Sequence, residues 1–526
     1  MNGAIAAAAQ APPQPQAPAA PAPPWLGIVA LLFGAIASSL TSRLTSSGLA
    51  DIRGAIGAGV DEGAWITTAF TTAQMLIGPA SVWFGRTLGM RRILLVGCAL
   101  YGMAELLIPF AAHLPWVIAL QAIAGIGSGT FIPLTLAFIF VGLPRRLWPY
   151  GIAAYILNIV LGLNIAAALE GWYSEYASWH WIFWQNAVIA VPLFWLLWHG
   201  MPRAKPDYEL LRRGDHSGIA LASIGLALVF AALDQGDRLD WTNSGLIVGM
   251  ALAGVALVAL FLVHQAALEE SPLDFSVLLV RDVVFALSLI AVVRFLVTSS
   301  NILVPGFLTQ VRGLRTLEAG QTLLWVGLPQ LVIAPAVAWL LTRIDPRIAL
   351  FAGMSIVAVA CLLAAQLDSS WAEADFALPL LIQAVGQTMA VTALIYYAAH
   401  YITPLNALSI GAIIQTSRLF GGEVGTATLN GVVRKSEQIH SQFLGLHVVA
   451  GDPTVLDRLA GYAAAVDAAS QGAGLASDRA VALLANAVRA QAYTMAYADG
   501  FRLSILVALF GAFVALILRK APEMQA

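Results

Sequence analysis

The sequence predicts an all-α membrane protein of about fourteen transmembrane helices, arranged as two six-helix halves with a two-helix insertion between them. Its low charge content, its apolar runs and an internal repeat predict this fold. Of the 526 residues, 59% are hydrophobic and only 11% are charged. A soluble globular protein carries about 25% charged residues because its surface must be wetted. Most of the outer surface must therefore face lipid.

Apolar runs long enough to cross the hydrocarbon core occur about fourteen times, since each crossing helix needs about 20 residues. They lie near residues 25–50, 63–84, 92–111, 115–141, 147–172, 180–200, 216–235, 243–265, 281–308, 318–342, 348–367, 375–400, 405–432 and 496–518. Backbone groups find no water partners in lipid, so we expect helices rather than strands. Residues 1–24, rich in Ala, Pro and Gln, predict a disordered cytoplasmic tail.

Basic residues in the short loops predict the orientation in the membrane. With the N-terminus inside, fourteen Arg and Lys residues fall in inner segments and four in short outer loops. Both termini are therefore predicted to be cytoplasmic. This pattern predicts a multi-pass protein of the bacterial inner membrane.

An internal repeat relates the second and tenth runs by a constant offset of 256 residues. The matched pairs are Gln74/Gln330, Ile77/Ile333, Pro79/Pro335, Ala80/Ala336, Trp83/Trp339, Arg91/Arg347, Leu94/Leu350 and Gly97/Gly353. The repeat predicts halves at 25–200 and 281–526, an insertion with its linkers at 201–280, and an extracytoplasmic segment at 434–495. Two similar halves around a midplane site are typical of secondary transporters.

Other chemistries lack support in the sequence. There is no phosphate-binding loop of the kind that ATP-driven pumps use, and no His, Cys and carboxylate spacing typical of a metal or nucleophile site. The two cysteines, Cys98 and Cys361, lie in apolar runs and predict packing positions. We therefore expect a transporter rather than an enzyme, with no cofactor, no metal and no nucleic-acid partner.

Several motifs are similar to those of one transporter family. They are the stretches 63–70, 125–134, 179–183, 233–241 and, above all, 418–427, which reads Arg-Leu-Phe-Gly-Gly-Glu-Val-Gly-Thr-Ala. In order and position they resemble the major facilitator superfamily, in particular its fourteen-helix drug:proton antiporters of the EmrB/QacA type and their EmrB branch. The resemblance implies the major facilitator fold and efflux of amphipathic small molecules, such as drugs, by proton antiport. It also implies that segment 434–495 docks a periplasmic adaptor that leads to an outer-membrane channel.

The chain departs from this family at several coupling positions. Thr41 stands where the first helix normally carries an acidic residue, and Gln121 corresponds to the arginine of the fourth helix. The loop after the second helix keeps Gly89, Arg91 and Arg92, which the resemblance marks as a gating loop. These losses leave open an organic-anion facilitator or exchanger without standard proton coupling. A non-transporting membrane receptor is the third alternative.

Charged side chains inside predicted spans are candidates for function because each costs a few kcal/mol to insert. The substrate-binding candidates are Arg43, Arg294, Arg418, Gln121, Asn158 and Asn164, and the proton-coupling candidates are Glu423, Glu105 and Glu170. Arginine stays charged and grips carboxylates with two hydrogen bonds, so the arginines favour an acidic substrate. In the alternative interpretation, the arginines pair with the glutamates and the amides bond to neighbouring helices.

Overall fold

A computed structural model describes residues 25–267, 281–401, 407–469 and 473–521 of the chain. These residues contain fourteen long helical segments, which we number in chain order. They are α1 Trp25–Ser47, α2 Trp65–Phe84, α3 Met90–Leu107, α4 Leu114–Gly142, α5 Trp148–Tyr176, α6 Trp181–Gly200, α7 His216–Gly236, α8 Gly245–Ala267, α9 Arg281–Gln310, α10 Thr316–Leu341, α11 Pro346–Ala364, α12 Ala377–Ala399, α13 Ala407–Gly445 and α14 Ala473–Ile517.

Shorter elements interrupt or connect these segments. Segment α4 consists of Leu114–Ser128 and Phe131–Gly142, and α10 consists of Thr316–Thr322, Leu324–Gly327 and Gln330–Leu341. The connecting helices are Leu49–Ile56, Val60–Gly63, Gly85–Gly89, Ile108–Phe110, Arg145–Leu147, Tyr208–Arg213, Trp241–Asn243, Glu373–Phe376 and Pro453–Ala469. The predicted disordered tail, 1–24, and part of the insertion's second linker, 268–280, lie outside the described residues.

Within the described chain, twelve segments are long and apolar enough to cross a membrane. One of them, Val60–Phe110, contains both α2 and α3. Helix α13 is not among the twelve, and its first half carries Gln415, Arg418 and Glu423. The all-α class is confirmed, whereas the number of fourteen membrane spans stays a prediction.

The internal repeat predicted from the sequence recurs in the contacts. Arg91 donates a hydrogen bond to the backbone carbonyl of Trp198 at the end of α6, 2.7 Å away. Its partner in the repeat, Arg347, donates to the carbonyl of Leu518 just after α14, 2.9 Å away. Because α6 and α14 are the last helices of the two halves, equivalent arginines make equivalent bonds.

The insertion joins the N-terminal half through α7. Helix α7 packs along α2 and also contacts α13, whereas α8 packs on α7. Gly225 and Gly254 allow this close approach, since a Cβ at Gly225 would lie 3.0 Å from Val258 and one at Gly254 would lie 2.7 Å from Val229. Only 17% of the apolar window of α8 is buried, which suits a helix whose outer face contacts lipid.

The two halves contact each other at both ends of the bundle. At the predicted outer end, a Cβ at Gly171 of α5 would lie 2.5 Å from the Cα of Leu317 in α10. Arg315 pairs with Glu175 across the same boundary at 3.1 Å. At the other end, a Cβ at Gly411 of α13 would lie 2.9 Å from the carbonyl oxygen of Pro133 in α4. Cavities between the halves lie between these contacts.

The predicted extracytoplasmic segment is largely helical. Helix α13 continues to Gly445, and α14 begins at Ala473, well before its apolar part. The connecting helix Pro453–Ala469 packs on α14. His440 and Asp499 join α13 to α14 at 2.8 Å. A groove of about 630 Å³ lies among these helices and the loop that contains Ser369.

Candidate functional site

A polar cavity of about 170 Å³ lies between helices of both halves and the insertion. Its lining side chains include four charged residues: Arg43 of α1, Asp234 of α7, Arg294 of α9 and Glu423 of α13. The remaining lining residues are Ser42, Ser46, Thr67, Thr71, Leu163, Phe230, Val297, Thr298, Asn301, Leu419, Gly422 and Thr426. Arg43 and Arg294 come from the first helices of the two halves, as the repeat predicts.

The two arginines of the polar cavity keep unused donors. Arg43 donates one hydrogen bond across the halves, from Nη2 to the backbone carbonyl of Asn301 at 2.8 Å. The Nε atoms of Arg43 and Arg294 are buried and have no hydrogen-bond partner among the described residues. A buried unpaired donor is costly, and an arginine fork suits a carboxylate or another oxyanion. The arginines therefore offer hydrogen bonds to a ligand in the cavity.

Two carboxyl groups meet in the wall of the same cavity. The side chains of Asp234 and Glu423 both line it and are direct neighbours. Asp234 accepts hydrogen bonds from the Thr68 hydroxyl and, at 3.1 Å, from the Gln235 amide. Two carboxyl groups can hydrogen-bond to each other only when one of them carries a proton, because ionised carboxylates only accept. Neighbouring carboxyl groups of this kind can therefore share one proton.

An apolar cavity of about 30 Å³ adjoins the polar one at Arg294, which lines both. Its other lining residues are Tyr155, Ile156, Val160, Ile290, Val293, Val297, Val391, Leu394, Ile395, Ile414 and Arg418. Arg418 is 8% exposed and donates from Nε to the Gln415 amide oxygen at 3.0 Å. Nine aliphatic side chains, Tyr155 and two guanidinium groups, contributed by α5, α9, α12 and α13, thus enclose one small space.

Two of the proton-coupling candidates lie outside both cavities. Glu105 of α3 is fully buried and accepts a hydrogen bond from Asn186 of α6 at 3.1 Å. Glu170 of α5 is 3% exposed and lies close to Gly48. Neither lines the polar or the apolar cavity. Their predicted coupling role stays a prediction, and the contact of Glu105 with α6 fits the helix-joining alternative.

The amide candidates do not line the cavities either. Asn158 and Asn164 donate to carbonyls one turn earlier in α5, at 2.6 and 2.9 Å. Gln121 in α4 is fully buried, and its amide atoms have no partner among the described residues.

In the predicted gating loop, Gly89 has φ +93°. There Arg91 binds the end of α6, and Arg92 donates to the Leu88 carbonyl at 3.2 Å.

Asp234 is the charged cavity residue that is not among the candidates from the sequence. It belongs to the stretch 233–241, which resembles a family motif, and lies one residue inside the predicted end of the seventh span. An acidic residue within a span was the available signal. What the sequence did not reveal is that the insertion packs on α2 and so brings Asp234 to Glu423.

The family model described as Major Facilitator Superfamily matches residues 31–426. The chain belongs to the Major Facilitator Superfamily. This family consists of transporters, so the membership points to a multi-pass membrane transporter and not to an enzyme. The match includes α1 to α12 and the part of α13 that carries Arg418 and Glu423.

Individual proteins of this superfamily resemble the chain over most of its length. The multidrug export protein EmrB of Haemophilus influenzae is 24% identical over 81% of this chain and 83% of its own. The fatty acid resistance protein FarB of Neisseria gonorrhoeae is 22% identical over 77% and 80%. Among solved structures, the human organic anion transporter MFSD10 aligns with a TM-score of 0.55 at 15% identity, covering 93% of this chain and all of that one. At that identity the structural match shows the major facilitator fold alone.

Proposed function

We propose that this chain exports amphipathic small molecules across the bacterial inner membrane in exchange for protons, with both termini in the cytoplasm. The observation that carries the proposal is the position of Arg294, which lines an apolar cavity on one side and a polar cavity on the other. An amphipathic molecule matches the chemistry of this arrangement, with its polar head beside Arg294 and its apolar part against the aliphatic side chains. The apolar cavity of about 30 Å³ holds no more than a water-sized group in this conformation, so the movement of the halves must widen it for such a molecule to bind.

The relatives' names agree with such a substrate class. A multidrug exporter and a fatty acid resistance protein are both similar to this chain over about four fifths of its length. Fatty acids combine an apolar chain with a carboxylate, and the cavity offers the corresponding aliphatic and guanidinium groups. This supports amphipathic compounds, acidic ones among them, as the cargo.

The Asp234–Glu423 pair is the proposed proton site. Glu423 belongs to α13 of the C-terminal half, whereas Asp234 belongs to the insertion, which packs on the N-terminal half. A rearrangement of the halves therefore changes the contact between the two carboxyl groups. When they separate, the shared proton loses one of its two partners and is released to water. Proton release is thus tied to the transport movement.

The sign of coupling depends on the charge of the substrate. A cationic or hydrogen-bond-donating head competes with the proton for the carboxyl pair, so proton binding displaces the substrate, as antiport requires. An anionic head binds the arginines, and protonation of the pair removes competing negative charge. Protonation then strengthens anion binding instead of displacing the anion.

If protonation strengthens anion binding, proton antiport of an anion is disfavoured. The second candidate function is therefore an organic-anion facilitator or exchanger of the same fold. Three arginines line the two cavities, against a carboxyl pair that bears one negative charge while it shares a proton. The net charge of the lining groups is therefore positive, which attracts anions. The loss of the family's usual acidic residue at Thr41 points in the same direction.

Transport by the purified protein in liposomes separates the candidates. One substrate should be a permanently cationic amphipathic dye and the other a permanently anionic arylsulfonate, with pH and voltage gradients imposed separately. Proton antiport predicts that a pH gradient drives the cation uphill. The facilitator predicts that the sulfonate only equilibrates or exchanges for itself. If neither gradient moves either compound faster than protein-free liposomes do, the transport proposal is wrong.

The predicted extracytoplasmic segment, 434–495, forms a helical extension that consists of the end of α13, helix Pro453–Ala469 and the beginning of α14. We further propose that this helical extension docks a periplasmic adaptor connected to an outer-membrane channel. Its connecting helix, Pro453–Ala469, carries exposed residues and borders the groove of about 630 Å³. The groove contains both apolar groups such as Leu444 and Leu484 and the basic Arg458. A mixed groove of this kind is typical of a protein interface.

A further inference from the structure

A groove of about 320 Å³ at the predicted cytoplasmic end of the N-terminal half collects three arginines. It is lined by Leu88, Gly89, Arg91, Arg92, Trp198, Arg203 and Ala204. No carboxylate is among these lining residues, so three positive charges share one concave surface. Like charges at short range repel each other, and an anion placed among them stabilises the arrangement.

All three guanidinium groups keep donors for such an anion. Arg92 donates one hydrogen bond, from Nη1 to the Leu88 carbonyl. Arg91 binds the Trp198 carbonyl through Nη2, and its Cζ lies 4.8 Å from the centre of the Trp198 ring. Its Nε is buried and has no hydrogen-bond partner among the described residues. Arg203 is exposed and also lines the groove.

The other half of the protein shows how an equivalent arginine is neutralised. Arg347, the repeat partner of Arg91, is paired with Asp345 at 2.8 Å. The 256-residue offset places Gly89 at the position of Asp345. Gly89 has φ +93°, a conformation that favours glycine, and it carries no carboxylate. The C-terminal half therefore supplies its own carboxylate, whereas the N-terminal half has none at the corresponding position.

The groove borders the lipid-facing surface. Trp195 and Trp198 on α6 are 55% and 48% exposed, and tryptophan settles at the membrane–water boundary. An anion in this groove therefore lies at the depth of lipid headgroups. We propose that Arg91, Arg92 and Arg203 bind the phosphate of an anionic membrane phospholipid, with the lipid tails beside the exposed tryptophans. Basic pockets beside transmembrane helices on the cytoplasmic side commonly bind such headgroups.

The test uses the full-length protein, purified in a mild detergent and titrated with phosphatidylglycerol or with phosphatidylcholine. Native mass spectrometry counts the lipids retained. We expect wild type to retain phosphatidylglycerol preferentially. The double variant Arg92→Gln/Arg203→Gln and the variant Ala204→Asp, which places a carboxylate in the groove, should each bind it roughly tenfold more weakly. Arg91 stays in both variants because its bond to Trp198 supports the fold.

The matched control is Arg146→Gln/Arg212→Gln, which removes the same charge from cytoplasmic positions outside the groove and should bind lipid as wild type does. Equal retention by the groove variants and wild type overturns the proposal, as does equal retention of phosphatidylcholine. Inorganic phosphate is titrated in parallel. If it displaces phosphatidylglycerol stoichiometrically at similar concentration, the groove is a site for soluble anions and the lipid assignment is wrong.

Discussion

At the residue scale, the substrate interaction depends most on Arg294, because among the described residues it is the one charged side chain that lines both cavities. Replacing it with Gln removes a charge-assisted hydrogen bond to an acidic head, which is worth about 1.5–3 kcal/mol. We expect Arg294→Gln to weaken the binding of an anionic arylsulfonate by roughly tenfold or more. Arg294→Lys keeps the positive charge but loses the planar guanidinium group that donates two parallel hydrogen bonds. Its affinity for the arylsulfonate should therefore lie between those of wild type and Arg294→Gln.

Binding of the fluorescent arylsulfonate to purified protein measures this effect. The control is Arg434→Gln, since Arg434 pairs with Asp237 at 2.7 Å and lines neither cavity. If Arg294→Gln binds the sulfonate as tightly as wild type does, Arg294 does not bind the acidic head of the substrate.

The carboxyl pair gives a second prediction at this scale. Glu423→Gln and Asp234→Asn each leave an uncharged side chain of similar size that cannot release a proton. We therefore expect both to abolish uphill transport driven by a pH gradient, while substrate binding and downhill exchange persist. Glu105→Gln is the control, because Glu105 is a carboxyl group inside the helical bundle that contacts Asn186 away from the cavities.

Liposome transport with and without a pH gradient measures coupling in these variants. Undiminished uphill transport by both Glu423→Gln and Asp234→Asn would exclude the pair as the proton site. If only Glu105→Gln loses coupling to the pH gradient, the proton site lies instead at the contact between α3 and α6.

At the element scale, the first turn of α11 carries a pH-dependent contact. The Arg347 side chain hydrogen-bonds Asp345 and holds the pKa of this carboxyl below its usual range. Asp345 also accepts from the backbone N–H of Arg347 at 2.9 Å as the cap of the helix. A depressed folded-state pKa stabilises the fold above the usual carboxyl pKa, and this stabilisation is lost as pH falls through the folded-state value.

Asp345→Asn should therefore lower the melting temperature at neutral pH, and its difference from wild type should shrink in acid. Thermal unfolding in detergent at neutral pH and near pH 3 measures both differences. Glu209→Gln is the control, because the exposed Glu209–Arg213 pair at 2.5 Å should contribute little. If the melting temperature of Asp345→Asn lies below that of wild type by the same amount at both pH values, the charge of Asp345 is not what stabilises α11.

The helical extension is a second element with a prediction of its own. Helix Pro453–Ala469 connects α13 and α14 without belonging to either. Replacing residues 450–472 by a short Gly/Ser linker should leave transport across the inner membrane intact, because both cavities lie elsewhere. If the extension docks an adaptor, export past the outer membrane should be lost.

Inverted vesicles report the inner-membrane step, and drug resistance of whole cells reports the complete route. Loss of both activities would indicate that the extension is a cap required for the fold or the transport cycle. Retention of both would exclude the adaptor proposal for this helix.

At the scale of the whole molecule, the sequence predicted what periodic apolar runs and a repeat can specify. The run boundaries located the helices, and the 256-residue offset between Arg91 and Arg347 recurs in equivalent hydrogen bonds, while the domain boundaries drawn from it stay a prediction. Asp234 was missed because its role depends on the packing of α7 on α2, a contact between segments far apart in sequence. Position within the sequence did not separate Glu105 from Glu423, since both are acidic residues within predicted spans. Only the three-dimensional neighbours distinguish them.

The contact between the halves yields a prediction about the transport cycle. Arg315 of the C-terminal half and Glu175 of the N-terminal half are 3.1 Å apart at the predicted outer end. Alternating access by movement of one half against the other requires this end to open. A short, reducible thiol cross-linker that joins Arg315→Cys to Glu175→Cys should therefore stop transport in liposomes, and a reductant should restore it.

The matched control is the pair Glu209→Cys/Arg213→Cys, which lies within one exposed helix and joins no moving parts. Its cross-link should leave transport unchanged. The natural Cys98 and Cys361 are both buried and should react little with the reagent. Unimpaired transport by the fully cross-linked Arg315→Cys/Glu175→Cys protein would mean that substrate leaves without separation of the halves at this end, and the release path would then have to run elsewhere between the helices.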